Sequence, residues 1–402
     1  MRTSSSLSTS TALSTSTALG ILSVFLAPPA GAVPIDLSDA DAVVSGPSNL
    51  EIQEIQTLGS AFWAKFDWDE KRNSFGVKDF DEMLRYDFAA SEGPEGATRW
   101  TITGMNSLGT AVGRATFEDT PGEFRSSAYT YADGIYTEIN GLGGDFSSPS
   151  DINDSGTIVG YSRLPGESAP LHAFVYRDGV TTDLGTLGGT TSRATAINNR
   201  GVIAGNSKTG DGDVEHAFIV ENGVMQDIGT LKDDSIGIYA ADINEAGTTV
   251  GHYYPWPGST LAKAWIYEDG VMSHLKTLGS RQGLGNATGI NDAGTIVGNS
   301  TDADDISWAV VYEGGEPRIL NPHQNTHQSP TAINNAGVIV GTIGPDYYSK
   351  RAWVYSGVQQ EVVIQSEQAD ILGGITDTGQ IYGFSVYYDG ESQISTPFIG
   401  TP

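Results

Sequence analysis

The chain contains no cysteine in its 402 residues. Disulfides and thiolate metal centres are therefore excluded, and the fold must hold together by packing and hydrogen bonds. Cations are scarce, with 21 Lys and Arg against 49 Asp and Glu for a formal net charge of −28. Such a balance repels nucleic acid and anionic lipid. It also disfavours polyanionic ligands, unless one face gathers the few cations. Long apolar runs are missing too. The best one, Ala18 to Ala27, is too short to span a bilayer, so no membrane span is expected.

That short run has a different meaning. Arg2 precedes it and Ala30-Gly31-Ala32 follows it, which is the order of charge, apolar core and small-residue cleavage site in a secretory signal. Residues 1–32 read as a signal peptide and 33–51 as a linker. The protein reads as secreted and extracellular, with the periplasm or cell surface as the nearby alternatives. Removing the signal takes away one charge, Arg2, and leaves ample chain for a core.

What the chain has in plenty is glycine, 51 residues, and a repeat. Ile-Thr-Gly-Met-Asn-Ser-Leu-Gly from Ile102 returns as Ser-Asp-Ile-Asn-Asp-Ser-Gly from Ser150 and Thr-Ala-Ile-Asn-Asn-Arg-Gly from Thr195. It recurs around Asn244, Asn291 and Asn334, and in degraded form as Gly-Ile-Thr-Asp-Thr-Gly from Gly374. A fixed period of this length means one supersecondary unit copied along the chain. Within the unit from Ser192 to Gly229, Ala194 to Asn198 alternates as a strand does. Asn198-Asn-Arg-Gly201 is a capped turn, Val202 to Ser207 a second strand and His216 to Val220 a third. Asn222-Gly223 signals a tight hairpin into a fourth, Val224 to Gly229.

Four short strands per repeat predict an all-β fold, a β-propeller of four-stranded antiparallel blades. Seven blades are favoured, with eight as the alternative. The chain ends on a third strand, Thr396 to Gly400. Ile52 to Gly59 resembles a fourth strand, so it is expected to pair there and seal the ring. The propeller would then run over 52–402, with 60–100 as an insertion or a degenerate blade.

The units resemble an extracellular repeat family named for its His-Ala-Phe motif. His172-Ala-Phe-Val-Tyr176, His216-Ala-Phe-Ile-Val220 and Asp183-Leu-Gly-Thr-Leu-Gly-Gly189 carry the resemblance. It implies a secreted repeat protein and brings no single activity. Lys263-Ala-Trp, Trp308-Ala-Val and Arg351-Ala-Trp depart from the motif. A kelch-like likeness is a distant fold analogy.

Strand order places the Asn-x-x-Gly and Asp-Gly turns on one face and the variable loops on the other, where function is expected. Those loops carry Tyr253, Tyr254, Trp256, Tyr347, Tyr348, Tyr387 and Tyr388, with His323 and His327 in one connection. Aromatic faces beside polar groups suit sugar rings, so a polysaccharide or a cell-surface protein is the expected partner of a monomer. His172 and His216 share a repeat position that tolerates Ser127, Lys263, Trp308 and Arg351, so a structural role is expected there. The repeated Asn reads as a turn cap. No cofactor is predicted. Ca²⁺ is the one that the acidic loops admit, through Asp211 and Asp213 or Asp302, Asp304 and Asp305, although neither loop has full calcium-loop spacing. The alternative function is a polysaccharide lyase. His252, Tyr254, His323 and Tyr347 would move protons, and Arg281 or Arg351 would neutralise a uronate.

Overall fold

A computed structural model describes residues 93–402 apart from 167, 211–213, 232–236, 256–261, 280–284, 305, 321–327, 345–349, 358, 363–368 and 389–392. Before residue 93 it describes the backbone of a few strand segments. The chain falls into two compact units. The first comprises Met1–Phe88 with Gln360–Gln365 and Gly400–Pro402, and the second comprises Ala89–Gln359 with Ser366–Ile399.

The second unit is built from seven four-stranded antiparallel sheets. Blade 1 has strands Arg99–Met105, Ala111–Thr120, Glu123–Ala132 and Ile135–Ile139. Blade 2 begins at Ser147–Ile152, blade 3 at Gly188–Ile197, blade 4 at Gly237–Ile243, blade 5 at Gly285–Ile290 and blade 6 at Gln328–Ile333. Each adds its next three strands in order. Blade 7 joins Ala369–Ile375, Ile381–Tyr388 and Gln393–Thr401 to Asp87–Ala90. First strands of neighbouring blades touch around the ring, and Ala369–Ile375 meets Arg99–Met105 to close it. The chain is thus a seven-bladed β-propeller.

An N-terminal strand completes the last sheet, as expected, but it is not the one expected. Ile52–Gln56 pairs with Ser23–Leu26 in a small sheet of the first unit. Phe66–Asp69 and Ser74–Val77 form another small sheet with Val43–Ser45, so residues 60–100 add no eighth blade. The likeness of Ile52 to Gly59 to a fourth strand was only local. Alternating apolar residues fit any sheet edge, and pairing partners are chosen by tertiary context.

The core lies between blades. Ala196, Ala204 and Ala217 of blade 3 pack against Ile238, Ala240 and Trp265 of blade 4. In most blades the second-strand glycine pairs with an aromatic ring, and in blade 5 Gly298 pairs with Val310 instead. Gly205 sits opposite Phe218, and Gly251 opposite Trp265. A Cβ at Gly251 would lie 1.9 Å from the Tyr239 carbonyl and 2.9 Å from the Trp265 ring, so no larger residue fits. The Phe or Trp of the third-strand motif thus fills the space that the second-strand glycine leaves. The Ala before it, fully buried at Ala173 and Ala217, keeps the next blade close.

Candidate functional site

The two ends of the blades differ in what their side chains do. At the Asn-turn end each Asn caps its own turn, as expected. Asn198 Oδ1 accepts the Val202 N–H at 2.9 Å. Its amide does a second job that the sequence reading missed: Asn198 Nδ2 donates to the Asn244 carbonyl of the next blade at 2.9 Å. The same bond runs from Asn106 to Asn153, Asn153 to Asn198, Asn244 to Asn291, Asn291 to Asn334 and Asn334 to Thr376. A second series lies outside it. The backbone N–H after each Asn donates to the side chain after the next blade's cap, as Asp154 does to Asn199 and Asn199 to Glu245. The signal was present as an Asn followed by Asp, Asn or Glu in successive repeats.

These turns surround a cavity of about 340 Å³. Asp151 and Asp242 line it, at a repeat position that is otherwise Gly104, Ala196, Gly289, Ala332 or Gly374. Each carboxylate straps two blades. Asp242 accepts Ile243 N–H and, from blade 5, Ile290 N–H, both at 2.8 Å. Asp151 does the same with Ile152 and with Ile197 of blade 3. Burial pushes Asp151 up to about 6 and Asp242 up to about 7, and these hydrogen bonds only partly offset it. Tyr382 stands where other blades have Val or Ala, and Gly373 and Gly374 leave room for its ring. Burial, then the two carboxylates, hold its proton more tightly. Sequence reasoning missed all three residues. Among the described residues no group of three His, Asp or Glu could hold a metal ion, and these carboxylates serve as struts.

The variable-loop end carries a row of aromatic and guanidinium groups across blades 1 to 4. Arg114 lies 5.6 Å above the Phe146 ring, and Phe146 is 5.8 Å from Tyr161. Arg193 of blade 3 covers Tyr161 at 4.9 Å. In blade 4, Tyr239 stacks on His252 at 5.3 Å, and Tyr254 meets both edge-on at 5.9 and 5.6 Å. Tyr239 is 38% exposed. Arg193 is also exposed, and Arg114, Phe146, Tyr161, His252 and Tyr254 are half-buried. Arg114, Tyr161 and His252 follow the second-strand glycine. Blades 3 and 5 have Asn206 and Asn299 there, each bridging to the next blade's first strand. Burial lowers the pKa of His252, and it raises that of Tyr239 together with the negative charge of Glu215.

Of the candidates named from sequence, His252 and Tyr254 come together here. Tyr253 does not belong with them: it is 2% exposed and packs in the core between blades 3 and 4. Strand alternation turns it to the opposite side from its neighbours. Arg351 opens the third strand of blade 6, with blade 5 between it and His252. Asp302 is spent locally, accepting from Asp304 N–H, Ile306 N–H and Trp308 Nε1. The Trp308 bond, then the backbone donors, lower its pKa. Trp256, Arg281, His323, His327, Tyr347, Tyr348, Asp211, Asp213 and Asp305 lie outside the described residues, as do the side chains of Tyr387 and Tyr388. His172 and His216 are structural. Each ring Nδ1 pairs with the Asp of the following strand, Asp183 or Asp227, at 2.9 Å.

No family model matches the chain, and no curated protein matches it. Solved structures similar to it include a β-propeller domain. The β-propeller domain of the Trilobed protease from Pyrococcus furiosus aligns with a TM-score of 0.50 and 10% identity, over 74% of this chain and 98% of that one. The acylaminoacyl peptidase of Pyrococcus horikoshii aligns at 0.48 and 11% identity, over 74% of this chain and 52% of that one. TolB from Acinetobacter baumannii aligns at 0.39 and 11%, over 68% and 64%. Likeness at this level of identity shows the shared fold alone.

Proposed function

We propose that this protein is an exported, non-catalytic propeller that binds glycans on the aromatic row at its variable-loop end. The observation that carries this reading is the cluster of half-exposed rings, Phe146, Tyr161, Tyr239, His252 and Tyr254, on adjoining blades. Rings of this kind offer C–H-binding faces next to polar edges. A lyase is the second reading, favoured by His252, which burial keeps neutral and able to take a proton. Against it, Tyr239 holds its proton more tightly than an ordinary phenol.

The test is a glycan-array and polysaccharide screen with ultraviolet detection of unsaturated ends. Binding without new absorbance, weakened at least about tenfold in Tyr161→Ala and Tyr239→Ala, supports recognition; tenfold corresponds to about 1.4 kcal/mol. Absorbance that grows with time and disappears in His252→Ala would replace binding with catalysis.

A further inference from the structure

We infer that the ligand of the aromatic row is an acidic polysaccharide, its carboxylate or sulfate groups held by Arg114 and Arg193. This deepens the glycan-binding reading and rests on it. In a chain of net charge −28, arginines are expected to find carboxylates, and four of the nine described ones do. Arg125 pairs with Asp119, Arg163 with Asp145, Arg200 with Glu221 and Arg318 with Glu313. Arg114 and Arg193 are different. Each stacks over a ring, and among the described residues neither forms an ion pair or a side-chain hydrogen bond.

A guanidinium lying on a ring keeps its in-plane N–H edge free, and that fork matches a carboxylate or sulfate with two parallel bonds. The ring beneath fixes the plane in advance, which lowers the ordering cost of binding. Phe146 and Tyr161 lie between the two guanidiniums, so a chain of sugars crossing the row would alternate ring stacking with charge contact.

Most of the described cations gather at the variable-loop end, which they share with the carboxylates of Asp145, Glu215 and Asp302. Arg163 and Lys208 lie where second strands end, and Lys263 and Arg351 where third strands begin, all at the variable-loop end. Among the described cations only Arg177, Arg200 and Arg318 lie toward the Asn-turn end. That opposite end carries Asp154, Glu245, Asp292 and Asp377 around the cavity.

The experiment measures binding of the full exported chain to immobilised polygalacturonate, dextran sulfate and neutral dextran across a salt series. The expected result is tighter binding to one or both acidic polymers, weakened by salt. Arg114→Gln and Arg193→Gln should each weaken it about tenfold or more, the loss of a paired charge contact. Preference for polygalacturonate identifies the carboxylate source, and preference for dextran sulfate the sulfate source. Equal binding to dextran and to the acidic polymers, untouched by either Arg→Gln change, would overturn the acidic ligand and leave glycan binding standing. Binding to none of the three, nor to any glycan on the array, would overturn both. Circular dichroism of the two variants, superimposable on the parent, ties any loss to the site.

Discussion

The same repeat position does opposite work in neighbouring blades. After the second-strand glycine, Asn206 and Asn299 reach across to the next blade and are consumed by backbone carbonyls. Arg114, Tyr161 and His252 occupy the equivalent place, and among the described residues their side chains meet rings or, at Tyr161, the Arg193 guanidinium rather than a neighbouring backbone. The contrast extends to whole ends of the blades. At the Asn-turn end nearly every polar side chain is tied to a neighbour blade, in two series of hydrogen bonds. In the variable-loop half of blades 1 to 4, Arg114, Arg193 and the rings of Phe146, Tyr161, Tyr239, His252 and Tyr254 meet one another instead. A ring that is knitted shut at one end frees the other from structural duty, and residues without that duty can vary toward a ligand.

Breaking the knitted end should cost stability, and the largest effect should come from pH. Asp151 and Asp242 hold protons in the folded state at pH values where the unfolded chain, near its ordinary 3.8, has lost them. Stability therefore falls as pH rises from about 4 through 7, on the order of a few kcal/mol for the two together. Denaturant midpoints at pH 5 and pH 8 measure it. The difference should shrink in Asp151→Asn/Asp242→Asn, and an unchanged slope in that variant would assign it elsewhere.

Next comes the capping ring. Asn198→Ala removes a turn cap and one of the two donors to the buried Asn244 carbonyl, which keeps the Gly247 N–H, a cost of about 2 kcal/mol. Tyr161→Ala at the opposite end should cost about 1 kcal/mol or less. Urea titrations of the two variants compare the ends directly, and equal losses would erase the distinction. The smallest effect is expected at His216→Ala. It removes a half-exposed pair with Asp227 and should cost about 0.5 kcal/mol or less, with glycan binding intact. Loss of binding there would move the recognition surface outward to the third and fourth strands.

Much of this was legible in advance. Strand order, the capped turns and the blade count follow from residues close in sequence, such as Asn198 and Gly201. A turn that needs a side-chain acceptor and a positive φ, here 82° at Gly201, can be met by few residue types. The role of His172 was half legible. Its tolerance of substitution pointed to structure, but its partner Asp183 appears only once the third and fourth strands pair. The candidate site was read in part, through His252 and Tyr254. Tyr161, Arg193 and Tyr239 lie within strands, where an aromatic or a cation looks like any other strand residue. Asp151 and Asp242 were hidden the same way, inside an apolar strand pattern.

The repeat alone determined the blade, because its requirements are local: a capped turn, a glycine opposite an aromatic ring, a small residue facing the next sheet. Tertiary structure decided which strand closes the ring, choosing Asp87–Ala90 over the look-alike Ile52–Gln56. It also decided which side chains from different repeats meet. Those choices depend on contacts between residues tens to hundreds of positions apart. Closing a ring brings such residues together through the geometry of all seven blades at once, and no single repeat encodes that.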